Sequence, residues 1–289
     1  MEKSKKFQLH RFIYWIVIIA SIAIITTFFY INIEKFDNQE YCFSTISGKK
    51  VSQALVGSDC DYVSEFVKNE ISNMEKKLSH NFCDSDIDRL NNSNGNWINL
   101  DDYTIEILEK MLRISRKTHG FYDPTHLVLT NFYNQNSSAK IDDKMLSEEL
   151  KKVNFNFIEI DKANHRVRIN ENGTVITLDD IIDGLACNLA IDFYKKSKIN
   201  KAIIQVGTCT GYLNSDDNSN NIKNGFICSL SESECIINPN SGKIISKYLP
   251  KSFYHPSDCV IACVMARICA SNDEEKSSKI IKELDENNI

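Results

Sequence analysis

The chain has 289 residues, 42% hydrophobic and 25% charged, which is enough apolar side chain to build a full core and excludes global disorder. Thirty-nine acidic residues against 34 basic ones leave a net charge of −5, which argues against a broad nucleic-acid-binding face. Ten glycines and four prolines exclude a collagen-like or proline-rich chain, and no repeat of solenoid or propeller period is visible.

The first element in chain order is the uncharged run FIYWIVIIASIAIITTFFY at 12–30. As a helix it would span roughly 28 Å, close to the hydrocarbon thickness of a bilayer. Lys3, Lys5, Lys6 and Arg11 precede it, and Glu34, Asp37 and Glu40 follow. The charge bias predicts a cytoplasmic tail at 1–11 and a single-pass anchor at 12–31 in the cell inner membrane. The rest of the chain then lies on the extracytoplasmic side. A cleaved signal peptide is the competing reading, but no small-residue cleavage site follows Tyr30.

Residues 32–57 read as a linker or first strand. Val63, Phe66, Val67, Ile71, Met74 and Leu78 recur at helical spacing and predict a helix over 59–78. The polar stretch at 83–96 reads as turns. Asp102 is expected to cap a second helix that Gly120 ends, and a third runs over 142–153. The period then shortens: 155–169 predicts two strands around a turn at 162–165, and 174–178 another strand. An apolar helix at 179–194 precedes a buried strand at 201–206. Strands at 228–237 and 243–248 flank an N-P-N-S-G turn. An apolar helix at 258–270 and a charged helix or tail at 272–289 complete the chain. Helices and strands mix without βαβ alternation, so the fold class is α+β, with one domain over 58–271.

Ten cysteines are present: Cys42, Cys60, Cys83, Cys187, Cys209, Cys228, Cys235, Cys259, Cys263 and Cys269. An exported domain could oxidise some of them. The lack of any C-x-x-C pair points away from a structural zinc site, and apolar neighbours suit small buried hydrophobes.

Several motifs taken in order carry a further reading. DSDIDRLN at 84–91 is followed by THGFYDPT at 118–125, LDDIIDGLACNLA at 178–190, KAIIQVGTCTGYL at 201–213, INPNSGK at 237–243 and SDCVIACVMA at 257–266. This series resembles the ApbE family of FAD:protein FMN transferases over about residues 60 to 270. The resemblance implies mixed helices and antiparallel-rich sheets behind an exported, membrane-tethered N-terminus. It also implies a reaction that moves FMN from FAD onto a Thr or Ser hydroxyl and releases AMP. The expected partners are FAD, Mg2+ and an acceptor flavoprotein subunit of a membrane redox complex, with no nucleic acid.

The same resemblance supplies candidate site residues. Phe121, Tyr122 and Asp123 fall at a flavin-contacting segment, although Asp123 could equally cap a turn. Thr177 stands where the family places an FAD-contacting Asp, and Asp183 where it places a Lys. Gly207 keeps one of two backbone-approach glycines, the other being Thr208. Cys235 stands where the family places a His, with a plain thiol as the alternative. The metal positions are Asp180, Asp258 and Ala262, the last without the family's Thr oxygen. Asp179 or Asp180, and Asp258, also suit helix N-caps. His255 is either a stand-in for the missing histidine or a loop residue.

The chemistry explains why such residues would gather. A diphosphate is doubly charged and a neutral hydroxyl is a poor nucleophile, so a hard cation with oxygen ligands and a proton acceptor are both useful. The Lys-to-Asp change is the sharpest departure, because attraction between unit charges about 4 Å apart is worth roughly 4 kcal/mol at a surface-like dielectric. The His, Lys and Thr changes keep two other readings open: a catalytically degenerate, membrane-tethered flavin-binding or scaffold protein, and an FAD pyrophosphatase.

Overall fold

A computed structural model describes residues 37–137, 141–215, 222–230, 235–245, 252–271 and 274–285. The predicted tail and anchor at 1–31 lie outside them. Among the described residues no helix is long and apolar enough to cross a membrane.

The core is a six-stranded sheet, β1 (Asp37–Ser44), β2 (Lys50–Gly57), β6 (Ile199–Val206), β7 (Cys209–Leu213), β8 (Gly225–Ser229) and β11 (Ser252–His255), in the order β1-β2-β6-β7-β8-β11. Every neighbouring pair is antiparallel. Along β2 buried and partly exposed residues alternate, as a strand with one core face should. Residues 37–57 therefore form an edge strand and its neighbour. A smaller sheet joins β3 (Ile98–Asn99), β5 (Arg166–Ile169) and β4 (Ile158–Asp161), and β9 (Ile236–Ile237) pairs with β10 (Ile244–Ile245).

Helices cover the main sheet. α1 (Cys60–Leu78) buries Val63, Val67, Ile71, Met74 and Leu78, the stripe its spacing predicts. α6 (Ile182–Lys196) packs beside it, with Phe193 stacked on Phe66 at 4.0 Å. α7 (Cys259–Ser271) crosses α6 where Gly184 leaves room; a Cβ at Gly184 would lie 2.8 Å from Cys263 Sγ. α8 (Glu274–Asp285) closes the charged C-terminal stretch.

Several sequence expectations need correction. The polar segment at 83–96 holds a short helix, α2 (Asp86–Asn91), capped by Ser85 Oγ, which accepts from Asp88 N at 2.9 Å. α3 (Asp102–Lys117) is capped by Asp101, not Asp102, and ends before Gly120, although Gly120 takes a left-handed turn at φ +76°. α4 (Leu127–Gln135) follows the Pro124 turn and has no counterpart among the predicted helices. α5 (Asp143–Leu150) begins as expected, with Asp142 as its cap.

Residues 174–178 are not a strand. The Asn91 side chain donates to Ile176 O at 2.9 Å and accepts from Ile176 N at 2.8 Å, so one amide supplies both bonds that a partner strand would give. Residues 228–237 are not one strand either. β8 ends at Ser229 in the main sheet, and β9 belongs to the separate two-stranded ribbon.

Candidate active site

Two clefts meet at Asp180 and Arg267, which line both. The first, of ≈ 40 Å3, has an apolar and aromatic wall that includes Phe121, Tyr122, Ile236 and Pro239. The second, of ≈ 290 Å3, is lined by Lys49, Asp179, Asp183 and Gly207. The approach to α6 delivers the aspartates, the turn between β6 and β7 delivers Gly207, and α7 delivers Arg267.

Seven of the residues singled out from sequence reach these clefts: Phe121, Tyr122, Asp123, Asp180, Asp183, Gly207 and Cys235. Cys235 is exposed at the mouth of the first. Tyr122 is 3% exposed, and its hydroxyl has no hydrogen-bond partner. Burial pushes that phenol well above its ordinary value, and Asp180 adds to the effect. Asp123 touches the cleft but its carboxylate is engaged elsewhere. It accepts from Thr125 N at 2.8 Å, Thr125 Oγ1 at 2.6 Å and Phe155 N at 2.9 Å, which is the work of a turn cap. Burial nevertheless leaves its pKa raised.

Thr177, Asp258 and Ala262 line neither cleft. Thr177 Oγ1 accepts from Asp179 N at 3.0 Å and lies 3.0 Å from His80 Nδ1. Asp258 faces Lys110, with which it forms an ion pair, and Oδ1 accepts from Asn188 Nδ2 at 2.8 Å and from Val260 N at 3.0 Å. It thus caps α7 and ties it to α3 and α6. Ala262 is fully buried. Neither Asp179 nor Asp180 caps α6, whose first turn has no side-chain cap. His255 Nδ1 accepts from Asp258 N at 2.9 Å and so serves the same helix start.

The reversed charge at Asp183 has a partner. Lys49 Nζ lies 2.6 Å from Asp183 Oδ1, with the lysine side chain 34% and the aspartate 17% exposed. Burial is the largest single influence and works against the lysine charge, but Asp183 together with Glu75 and Asp179 outweighs it and the lysine pKa ends raised. Gly207 fits this arrangement. It has φ +54°, and a Cβ there would fall 2.2 Å from Asp183 Oδ2. Asp180 differs: its two oxygens are buried without hydrogen-bond donors, and the nearest cation is Arg267 Nε at 3.5 Å.

Sequence reasoning missed Lys49, Arg267 and His126. Lys49 meets Asp183 across 134 positions, and no local pattern marks such a pair. His126 lines the first cleft, and its Nδ1 lies 2.9 Å from the Asp123 carbonyl. A carbonyl can only accept, so Nδ1 carries the proton and Nε2 keeps the lone pair in the neutral ring.

Three solved structures share this architecture, and each likeness is of fold. The ApbE protein from Thermotoga maritima superposes with a TM-score of 0.75 at 15% identity, covering 86% of this chain and 92% of its own. The apo flavinyl transferase ApbE from Pseudomonas stutzeri gives 0.72 at 14%, covering 86% and 89%. The flavin transferase ApbE from Vibrio cholerae gives 0.69 at 14%, covering 84% and 90%. No curated protein sequence matches. A model of the ApbE family matches residues 43–223, well over half of the sequence, and the chain belongs to the ApbE family.

Proposed function

We propose that the chain is an FAD:protein FMN transferase that moves FMN from FAD onto a Thr or Ser hydroxyl of a flavoprotein and releases AMP. The observation that carries this reading is the Lys49–Asp183 pair, which returns a cation to the cleft where the family lysine has become an aspartate. The aromatic wall of the first cleft offers a stacking face for the flavin ring, which the ≈ 40 Å3 cleft admits only by opening, and the seam at Arg267 together with Lys49 suits the diphosphate. FAD is larger than either cleft alone and would span both.

In the transfer, the acceptor oxygen attacks the FMN phosphorus, the bond to the AMP phosphate breaks, and the hydroxyl proton leaves to a base. His126 Nε2 is the base this cleft offers. Cys235, at the position of the family histidine, is an exposed thiol at the same mouth.

The charge count of the second cleft favours a divalent cation. Asp179, Asp180 and Asp183 face Lys49 and Arg267, and a diphosphate adds two further negative charges. Of the candidate metal residues, Asp258 and Ala262 do not fit, since one carboxylate is fully engaged and the other side chain has no oxygen. Asp180, with two buried oxygens lacking donors, fits Mg2+ shared with substrate phosphates. When bound, the ion supplies neutralisation of phosphate charge. The uncharged run at 12–30 supports placing this domain outside the cytoplasm, beside an acceptor subunit of a membrane redox complex.

The test incubates the chain with FAD, Mg2+ and an acceptor bearing a short Thr- or Ser-containing flavinylation motif. A covalently fluorescent acceptor is expected. AMP released equally without acceptor would make the protein a pyrophosphatase, and no product above a heat-denatured control would leave only a binding role.

A further inference from the structure

Four thiols that the flavin chemistry does not use meet beneath the second cleft. Cys209 opens β7, Cys228 lies on β8, and Cys259 and Cys263 stand one turn apart on α7. The sheet register sets Cys209 directly opposite Cys228, and their sulfurs are 3.3 Å apart. Cys209 and Cys263 are also 3.3 Å apart, and the sulfurs of Cys209, Cys259 and Cys263 all lie within 4.8 Å of one another. None of the four residues is more than 3% exposed.

A hydrophobic core has no need to aim three sulfurs from β7 and α7 at one point with a fourth on β8 beside them, but a metal centre does. Tetrahedral zinc with Zn–S bonds of roughly 2.3 Å sets its sulfurs roughly 3.8 Å apart. The sulfurs of Cys209, Cys259 and Cys263 lie within 4.8 Å of one another, close to that geometry, whereas Cys228 is near Cys209 but outside this group and must turn its side chain to complete the set. An all-sulfur donor set disfavours Mg2+ and selects a thiophilic closed-shell cation. Entry is open, because Cys209, Cys228 and Cys263 line the ≈ 290 Å3 cleft. Cys259 opens the 13-residue α7 and Cys263 follows one turn later, so both sulfurs lie close to Cys209.

We propose that Cys209, Cys228, Cys259 and Cys263 form a thiolate metal site for a zinc-like cation. Four sulfur–metal bonds form as the thiol protons leave to solvent through the cleft, and no electron is transferred. The site clamps the β7–β8 hairpin to α7 behind the wall that carries Arg267. It stands independently of the transferase reading.

The experiment uses the full chain, purified in detergent under reducing, oxygen-free conditions and stripped of metal, then titrated with Co2+. The expected result is one equivalent bound with sulfur-to-cobalt charge-transfer absorption, bleached by one equivalent of Zn2+ and untouched by excess Mg2+. Zn2+ should raise the melting temperature of the wild type and of C42S/C83S, whose thiols are exposed, but not of C209S/C263S. If C209S/C263S does not fold, the wild-type cobalt spectrum and its bleaching by zinc decide alone. Folded wild type that gives no charge-transfer band overturns the proposal. So does a Cys209–Cys228 disulfide that persists under the reductant and excludes the metal.

Discussion

Lys49 Nζ and Asp183 Oδ1 lie 2.6 Å apart, although 134 positions separate them in the chain. The pair is neutral as a whole, so Lys49 offsets the charge of Asp183. The lysine expected on the first turn of α6 has become an aspartate, and a lysine just before β2 answers it. Lys49→Asp should weaken FAD binding at least tenfold, about 1.4 kcal/mol. The double variant Lys49→Asp with Asp183→Lys should recover most of that loss. A double-mutant cycle by FAD titration reads the coupling, and purely additive losses would separate the pair from ligand binding.

Gly207 is constrained twice, by φ +54° and by the Asp183 carboxylate that occupies the space of a Cβ. Gly207→Ala should cost about 1–3 kcal/mol in urea unfolding. In the Asp183→Ala background the cost should fall towards the strain of the left-handed backbone alone, about 1 kcal/mol.

Asp86, inside the DSDIDRLN motif, is structural. It accepts from Thr104 Oγ1 at 2.6 Å, Asp101 N at 3.2 Å and Arg89 Nη1 at 3.1 Å, joining α2 to the start of α3. Asp86→Ala strands a buried hydroxyl and should cost about 2–3 kcal/mol of stability. FAD affinity measured well below the melting temperature should stay within twofold of wild type. A selective loss of FAD affinity at unchanged stability would assign Asp86 to the ligand instead.

Asp101 links α1 to α3 through Lys77, 2.8 Å away. The Lys77 hydrogen bond, with help from Tyr103 N–H, holds its carboxyl below the ordinary value of 3.8 despite partial burial. A depressed carboxyl contributes stability that is complete above its unfolded value and is lost as pH falls through its folded value. The window is therefore acidic, below about pH 4. Asp101→Asn should flatten part of the stability slope there and leave the slope at neutral pH unchanged. The effect should be small, because the side chain is 45% exposed.

Much of the fold was legible because long helices and central strands print their period on the sequence. α1, α6 and α7 and the strand ending at Val206 follow from apolar spacing alone. What failed was held by side chains rather than by period. The segment 174–178 has strand-like residues but is stitched by Asn91, and α2 hides in polar residues because Ser85 caps it. At the site, the turn residues Phe121 to Asp123 and Gly207 could be placed from motif order. The cations that balance the cleft could not, since Lys49 and Arg267 come from distant elements with no shared pattern. The converging thiols of Cys209, Cys259 and Cys263, with Cys228 beside them, were hidden for the same reason. Their sequence spacing lacks the short pair that announces a zinc site, and only the packing of β7, β8 and α7 brings them together.

On the proposed function, the seam at Asp180 and Arg267 receives the FAD diphosphate together with a divalent cation. Calorimetric titration of FAD with and without Mg2+, on the wild type, Asp180→Asn and Asp258→Asn, tests it most directly. Mg2+-dependent binding is expected in the wild type, kept by Asp258→Asn at reduced stability and lost by Asp180→Asn. Binding indifferent to Mg2+, or a dependence that disappears with Asp258 and survives without Asp180, would contradict it.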